Sequence, residues 1–250
     1  MKKILIICGP TATGKTALAL KLAKQWNGEL ISADSRQVYK GLDALTGKDR
    51  SDDGAVWLYD VVEPGSEFSV AHFVRLARSV IVDIHKRKKL PIVVGGTGFY
   101  LTALTTAIDS LAVPPNPALR NAFHAASLES LQQELQRVSP DRWGRMNESD
   151  QKNPRRLIRA IEVAMSAKYI PQVRPHFDAL WIGLIAPLAM LKQRITNRVA
   201  ERFDKAASEV RDGLPPILGV ASLLSFTRGQ STKKEALAKW AWAEYQYAKR

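Results

Sequence analysis

Ile4-Leu5-Ile6-Ile7-Cys8-Gly9-Pro10-Thr11-Ala12-Thr13-Gly14-Lys15-Thr16 decides the fold: an apolar run, then G-x-x-x-x-G-K-T, then residues at helical spacing. A strand, a glycine-rich turn and a helix in that order form the context the motif needs. Glycines let successive backbone N–H groups converge on phosphate oxygens, and the following helix adds its positive end and unpaired donors. Gly9, Pro10, Thr11, Ala12, Thr13, Gly14, Lys15 and Thr16 are therefore the candidate diphosphate- or nucleotide-binding residues. Lys15 brings a point charge to the outer phosphates, and the Thr16 hydroxyl is placed to ligate Mg²⁺. The competing reading is a Gly/Thr-rich turn that matches by chance.

Working outward, apolar runs at Ile4 to Cys8, Leu30 to Ala33, Trp57 to Val62, Leu90 to Val94 and Ala179 to Ala186 alternate with helical patterns. That alternation predicts an α/β fold of the P-loop NTPase type, a parallel sheet with helices on both faces. Helical spacing runs over Ala12 to Gln25, Val70 to Lys86, Pro187 to about Val210, and from Lys233 onward. The run Leu180 to Ile185 reads as a buried strand. Val113-Pro114-Pro115-Asn116-Pro117 is a stiff connector, and helical spacing without a strand-like run follows from Ala118 to Ala167. The expected organisation is a discontinuous core, 1–115 and 176–250, with a small all-helical insertion at 116–175 that Pro171 and Pro175 close.

With 46% hydrophobic and 24% charged residues over 250 positions, the chain can bury one sizeable core. No run of 18 apolar residues occurs, and Met1-Lys2-Lys3 leads into a strand and not a secretory signal, so a cytoplasmic protein without a membrane span is expected. The single cysteine, Cys8, excludes disulfides within the chain and reads as a packing residue. Lys and Arg number 37 against 24 Asp and Glu, a net charge of +13. Such an excess suits a polyanion larger than a nucleotide, or it serves solubility alone.

Other candidates sit where strands end. Asp34, just past the second run, belongs at the carboxyl end of the sheet, where it can act as a general base or as an outer-shell Mg²⁺ partner, or merely cap a turn. Gly95-Gly96-Thr97-Gly98 follows the fourth run: Thr97 offers a hydroxyl to the same crevice, and a structural turn explains the glycines equally well. Arg194, Arg198 and Arg202 repeat every four residues, a helix face suited to clamping a diphosphate or a nucleic-acid backbone, or else a solvated face. Arg155, Arg156 and Arg159 form a second cluster. Trp240, Trp242, Tyr245 and Tyr247 read as helix packing, and His72, His85, His124 and His176 lack metal-ligand spacing.

Taken in order, GPTATGKT at 9–16, SADSRQVYKGLD at 32–43, GGTGFY at 95–100, NPRRLIRAIE at 153–162 and QYAKR at 246–250 resemble the bacterial tRNA dimethylallyltransferase family over nearly the whole length. The resemblance implies that the loop holds the diphosphate of dimethylallyl diphosphate, and that the five-carbon group passes to N6 of adenine 37, beside the tRNA anticodon. It implies Asp34 as general base, Thr97 close to the reacting adenine, and Lys15, Thr16 through Mg²⁺, Arg194 and Arg198 as neutralisers of the leaving diphosphate. It maps tRNA contacts onto Asp34, Ser35, Arg36, Gln37 and Thr97, onto Arg155, Arg156, Leu157, Ile158 and Arg159, and onto Arg120. A monomer acting on an anticodon stem-loop is the expected form.

The chain departs from the family pattern at Val56-Trp57, where a His-His pair is common, at Gly219-Val220, and at Ala206-Ala207. Family members usually continue several tens of residues past the position of Arg250. Two other classes share parts of the pattern. An adenylate isopentenyltransferase would keep the loop and Asp34 with little use for a basic insertion, and a P-loop small-molecule kinase would keep the fold and transfer phosphate from ATP.

Overall fold

The apolar runs become five parallel strands of one sheet in the computed structural model, which describes residues 2–50, 55–166 and 177–249. The expectations placed on Pro171, Pro175, His176 and the 175/176 boundary lie outside the described residues. In chain order the first elements are β1 (Lys2–Cys8), α1 (Lys15–Trp26), β2 (Gly28–Ser32), α2 (Asp43–Thr46), β3 (Val56–Trp57) and α3 (Val70–Lys86). Next come β4 (Leu90–Gly95), α4 (Gly98–Thr105), a 3₁₀ turn at Asp109–Ala112, α5 (Pro117–Ala122), α6 (Leu128–Val138), α7 (Pro140–Arg145), α8 (Glu148–Gln151) and α9 (Pro154–Met165). The chain returns through β5 (Phe177–Gly183) to α10 (Leu188–Glu209), α11 (Val220–Thr227) and α12 (Lys233–Ala248).

Strand order is β3-β2-β4-β1-β5. Side-chain alternation divides the core. Leu5, Ile7, Leu30, Ile92 and Val94 meet Ala19 and the other apolar residues of α1 on one face. On the opposite face α3 lies against β2 and β4 and also packs on α4, with Phe73 stacked on Tyr100 at 4.3 Å. A third cluster joins α2, α10, α11 and α12, where Leu191, Ile195, Val199 and Phe203 recur every four residues and Trp240 is fully buried.

Two strand expectations are corrected. Leu180 and Trp181 are 63% and 45% exposed, so β5 is not a buried strand: it is the sheet edge, bonded to β1 alone, and the covering helices centre on β2 and β4. The third run, Trp57 to Val62, pairs only at Val56–Trp57, with one bridge from Val62 to Tyr39. Leu58 and Asp60 have φ of 69° and 55°, and the Asp60 carboxylate is drawn to Lys48 at 2.6 Å and to Arg50, which turns the chain off the ladder. Helices α2, α4 and α11 were not legible as periodic segments, each being eight residues or fewer.

Gly95 shows how closely the sheet ends are drawn together. A Cβ there would stand 2.2 Å from the Ala33 carbonyl oxygen and 2.5 Å from its carbon, both backbone atoms that cannot step aside alone. Gly95→Ala is expected to cost about 1–3 kcal/mol through forced backbone shifts, read as a lower denaturation midpoint; a wild-type midpoint would show that β4 and the chain after β2 tolerate separation.

The chain folds as two units, one built from residues before Ala107 and after Arg174, the other from Ala107–Arg174. The division falls at Ala107, ahead of the expected 116. Arg159 explains why: its Nη2 donates to the carbonyls of Ser110 at 2.5 Å and Val113 at 2.6 Å, which ties the stretch before the prolines to α9. Asn116 then caps α5, accepting from Leu119 N at 3.1 Å, with Pro117 in the first helical turn. The unit's core is Leu131 and Leu135 of α6 against Leu157, Ala160 and Ile161 of α9.

Candidate active site

Strands β1, β2 and β4 end at one cavity of about 580 Å³, in the first unit, lined by Gly9, Pro10, Thr11, Lys15, Thr16, Asp34, Arg36, Gln37 and Gly96 among others. The loop after β1 gets its shape from Gly9, Ala12 and Gly14, with φ of 139°, 62° and 88°, conformations that turn successive N–H groups to one side. Thr13 Oγ1 and Lys15 Nζ both donate to the Pro10 carbonyl, at 2.8 and 2.6 Å. Burial pushes the Lys15 ammonium down to about 8; Asp34 opposes that shift and Arg198 adds to it.

Asp34 caps a turn at the cavity. Its Oδ1 accepts from Arg36 N at 2.9 Å, an Asx turn that holds the carboxylate on the cavity wall. Thr97 holds the same loop from the side: its Oγ1 accepts from Ser35 N at 3.0 Å and lies 3.4 Å from Ser35 Oγ. Thr97 and Ser35 are thus engaged with each other, and the wall beside them comes from Gly95, Gly96 and Gly98. Gln37 bridges Ser32 Oγ, at 2.8 Å, and the Gly47 carbonyl, at 3.1 Å.

The four-residue arginine stripe of α10 faces the loop. Arg198 donates to Thr11 Oγ1 at 3.0 Å and to the Gly47 carbonyl at 2.8 Å, and Arg194, more exposed, reaches the Ala12 carbonyl at 3.4 Å. Arg202 pairs with Glu244 of α12 at 3.0 Å, with its guanidinium 4.8 Å from the Trp240 ring centre. Burial lowers its pKa to about 10, against the pull of Glu244 and with a further push from Arg198. Gly47, at φ +65°, lacks the Cβ that would stand 2.4 Å from Arg202 Nη1 and 2.6 Å from Arg198 Nη2. Lys15, Arg198 and Arg202 therefore converge on one cavity with Asp34 and Glu244 as its carboxylates, an arrangement that favours an incoming anion.

Thr16 lines this cavity beside Asp34, and no group of three His, Cys, Asp or Glu side chains gathers anywhere among the described residues. That donor set fits Mg²⁺, which keeps several waters and binds through few protein oxygens plus substrate phosphates. Thr16 and Asp34 are the residues that would hold it.

Tyr59, Leu101 and Glu244 of the wall went unread in the sequence, and the wall also takes in Tyr247, read as helix packing, and Ala248. The family-like QYAKR segment was the available signal for the last two. Cys8, expected in the core, is half-buried at the cavity.

The residues expected to touch RNA in the second unit divide sharply. Leu157 is fully buried among the α6 and α9 side chains, so its side chain offers no contact surface, whereas Ile158 is only partly buried against them. Arg120 and Arg159 both pair with the buried Glu162, at 2.7 and 2.8 Å, and Glu162 also accepts from Asn116 N at 2.9 Å. Arg156 pairs with Asp150, and Arg155 is exposed. Arg159→Ala is expected to destabilise the unit by about 1–3 kcal/mol, because buried acceptors lose a partner. Arg155→Ala should leave stability unchanged and lower the salt slope of RNA binding by about one, as loss of a single phosphate contact does; an unchanged slope would place Arg155 on a merely solvated face.

The fold and the cavity define a phosphate-loop α/β protein with a carboxylate and several cations on the wall of one cavity. A family model described as IPP transferase matches residues 37–250, and one described as Isopentenyl transferase matches residues 2–54. The chain belongs to the IPP transferase family and is an isopentenyl-transferring enzyme. It is 42% identical over 206 residues to tRNA dimethylallyltransferase 2 of Syntrophotalea carbinolica, covering 80% of this chain and 68% of that one. To tRNA dimethylallyltransferase of Anoxybacillus flavithermus it is 36% identical, over 100% of this chain and 86% of that one. The tRNA isopentenylpyrophosphate transferase of Bacillus halodurans has a similar structure, with TM-score 0.69 and 30% identity over 100% of this chain and 85% of that one. A eukaryotic dimethylallyltransferase acting on tRNA shares the fold at TM-score 0.85 and 24% identity, over 100% of this chain and 69% of that one. No helix among the described residues is long and apolar enough to cross a membrane.

Proposed function

We propose that this enzyme transfers a dimethylallyl group from dimethylallyl diphosphate to N6 of adenine 37, next to the anticodon of tRNA, and that it does so in the cytoplasm. The observation that carries this reading is that Lys15, Thr16, Asp34 and Arg198 line one cavity, an anion-binding pole and a carboxylate in a single space. The N6 lone pair attacks C1 of the allyl group, the C1–O bond breaks, and its electron pair leaves with the diphosphate. Asp34 takes the N6 proton; an exocyclic amine is a weak nucleophile, so removal of its proton during attack lowers the barrier. The loop amides, Lys15 and Arg198 stabilise the charge that gathers on the leaving diphosphate, with Arg194 at the rim. Mg²⁺, when bound, supplies further positive charge to the same oxygens.

The acceptor base must leave its stack to reach a carboxylate at the end of a sheet, and basic residues hold the flanking backbone while it does so. The net charge of +13 and the exposed Arg155 suit that partner. Mass spectrometry of an anticodon stem-loop incubated with the protein, Mg²⁺ and dimethylallyl diphosphate tests the reading. A gain of one dimethylallyl group on adenine is the expected result. Phosphoryl transfer from labelled ATP with no prenylated RNA would replace the reading with a kinase, and prenylation of AMP but not of the stem-loop would replace it with a free-nucleotide enzyme.

A further inference from the structure

Helix α12 ends at the cavity, and it is held there firmly. Trp240 is fully buried, its Nε1 donates to Glu244 Oε1 at 3.3 Å, and Glu244 pairs with Arg202 of α10. Three residues past Glu244 the helix presents Tyr247, a residue 38% exposed that lines the cavity and whose ring lies under the Arg36 guanidinium, 4.2 Å from the ring centre. Arg36 is in turn tied to Asp34 through its backbone N–H. Among the described residues lining the cavity the aromatic rings are those of Tyr59 and Tyr247, and the Tyr59 hydroxyl is engaged by Asp49 N at 3.4 Å.

From this we infer that Arg36 and Tyr247 form a stacking clamp for the unstacked base that enters the cavity, a role that rests on the reading under Proposed function. Guanidinium planes and tyrosine rings are the two kinds of surface on which a base removed from its stack regains its lost contacts. The existing Arg36–Tyr247 contact is a cation–π pair at a partly exposed site, weak enough for a base to displace or to slide between. Because the same Arg36 is bonded to Asp34, a base seated in the clamp is presented to the carboxylate that receives its proton. The anchoring of α12 by Trp240 and Glu244 sets where Tyr247 stands at the cavity wall.

The test uses the full chain and an anticodon stem-loop with 2-aminopurine at the acceptor position, whose fluorescence falls when the base stacks on an aromatic ring. In the complex with the wild-type protein the signal is expected to stay quenched although the base has left its own stack. Tyr247→Leu, which keeps apolar volume without a ring, should remove the quenching and weaken stem-loop binding about tenfold, within the range for loss of one base–aromatic stack. The KM for dimethylallyl diphosphate should stay within about twofold, since no stacked base contributes to it, and Tyr247→Phe should recover the stem-loop affinity. Unchanged stem-loop affinity in Tyr247→Leu, or equal losses toward both substrates, would overturn the clamp and leave the pair as a latch between α12 and the Asp34 loop. The titration needs no turnover, so a chain that binds through the clamp yet fails to prenylate would sink the earlier reading and not this one.

Discussion

Asp34→Asn is expected to lower single-turnover dimethylallyl transfer by about 10²-fold or more, the usual cost of losing a general base, while diphosphate affinity stays near wild type. Asparagine is the informative substitution because the carboxylate holds a turn in addition to the proton-accepting role proposed for it. Its Oδ1 accepts from Arg36 N at 2.9 Å, and an asparagine oxygen can accept the same bond, so the Asx turn survives and only proton acceptance is removed. Asp34→Ala removes both. The loop then loses its hold on Arg36, and the alanine variant should add a higher KM for the stem-loop to the loss of rate. Rates measured with saturating stem-loop and dimethylallyl diphosphate separate the two. Retention of more than about a tenth of the wild-type rate in Asp34→Asn would remove Asp34 from the proton-accepting role, given the normal size of general-base effects.

The second large effect concerns Lys15. Lys15→Met keeps an unbranched stem and discards the ammonium; transfer should fall about 10²–10³-fold, the scale of losing one preorganised stabiliser of developing negative charge. Stability should move the other way. Burial holds the Lys15 pKa at about 8 in the folded protein against 10.5 as its ordinary value, so the folded state bears the cost of an enclosed charge. That cost is fully present below pH 8 and disappears as pH rises from 8 through 10.5, where the lysine is neutral in both states. The stability advantage of Lys15→Met is therefore largest near neutral pH and shrinks across that window. The hydrogen bond lost at the Pro10 carbonyl is partly covered, because Thr13 Oγ1 already donates to it at 2.8 Å. Thermal melts of both proteins at pH 7 and pH 10 check the sign, and a gap that widens with pH would contradict it. The same shift governs ligand binding: diphosphate should bind with proton uptake above pH 8, its affinity falling by up to about tenfold per pH unit there, and a flat profile between pH 8 and 9.5 would mean that the ammonium is not what the anion meets.

Legibility in the sequence followed the range of the interactions. The loop from Gly9 to Thr16 and the helix heading from Lys15 are set by neighbours a few positions apart, and both stand where the motif placed them. Helix α3 matches its expected bounds because seventeen residues of amphipathic spacing leave little ambiguity, and Ser69 and His72 close a capping box at its start. The run from Trp57 to Val62 misled because Asp60 is claimed by Lys48 and Arg50, twelve and ten positions earlier, a pull that no local pattern records. Leu180 and Trp181 misled because an apolar run announces a strand but not whether helices cover it.

By itself the sequence determined the class of fold, the phosphate loop and the placement of Asp34 at a strand end, since each depends on residue type and short-range spacing along one chain. The tertiary structure alone decided which charges meet. It sent Arg198 to Thr11 and Arg202 to Glu244, spent Arg120 and Arg159 on Glu162, sealed Leu157 in a core, and brought Tyr247 over two hundred positions to lie beneath Arg36. Those outcomes depend on which helix faces are buried together, a property of packing between distant segments that spacing within any one of them leaves open.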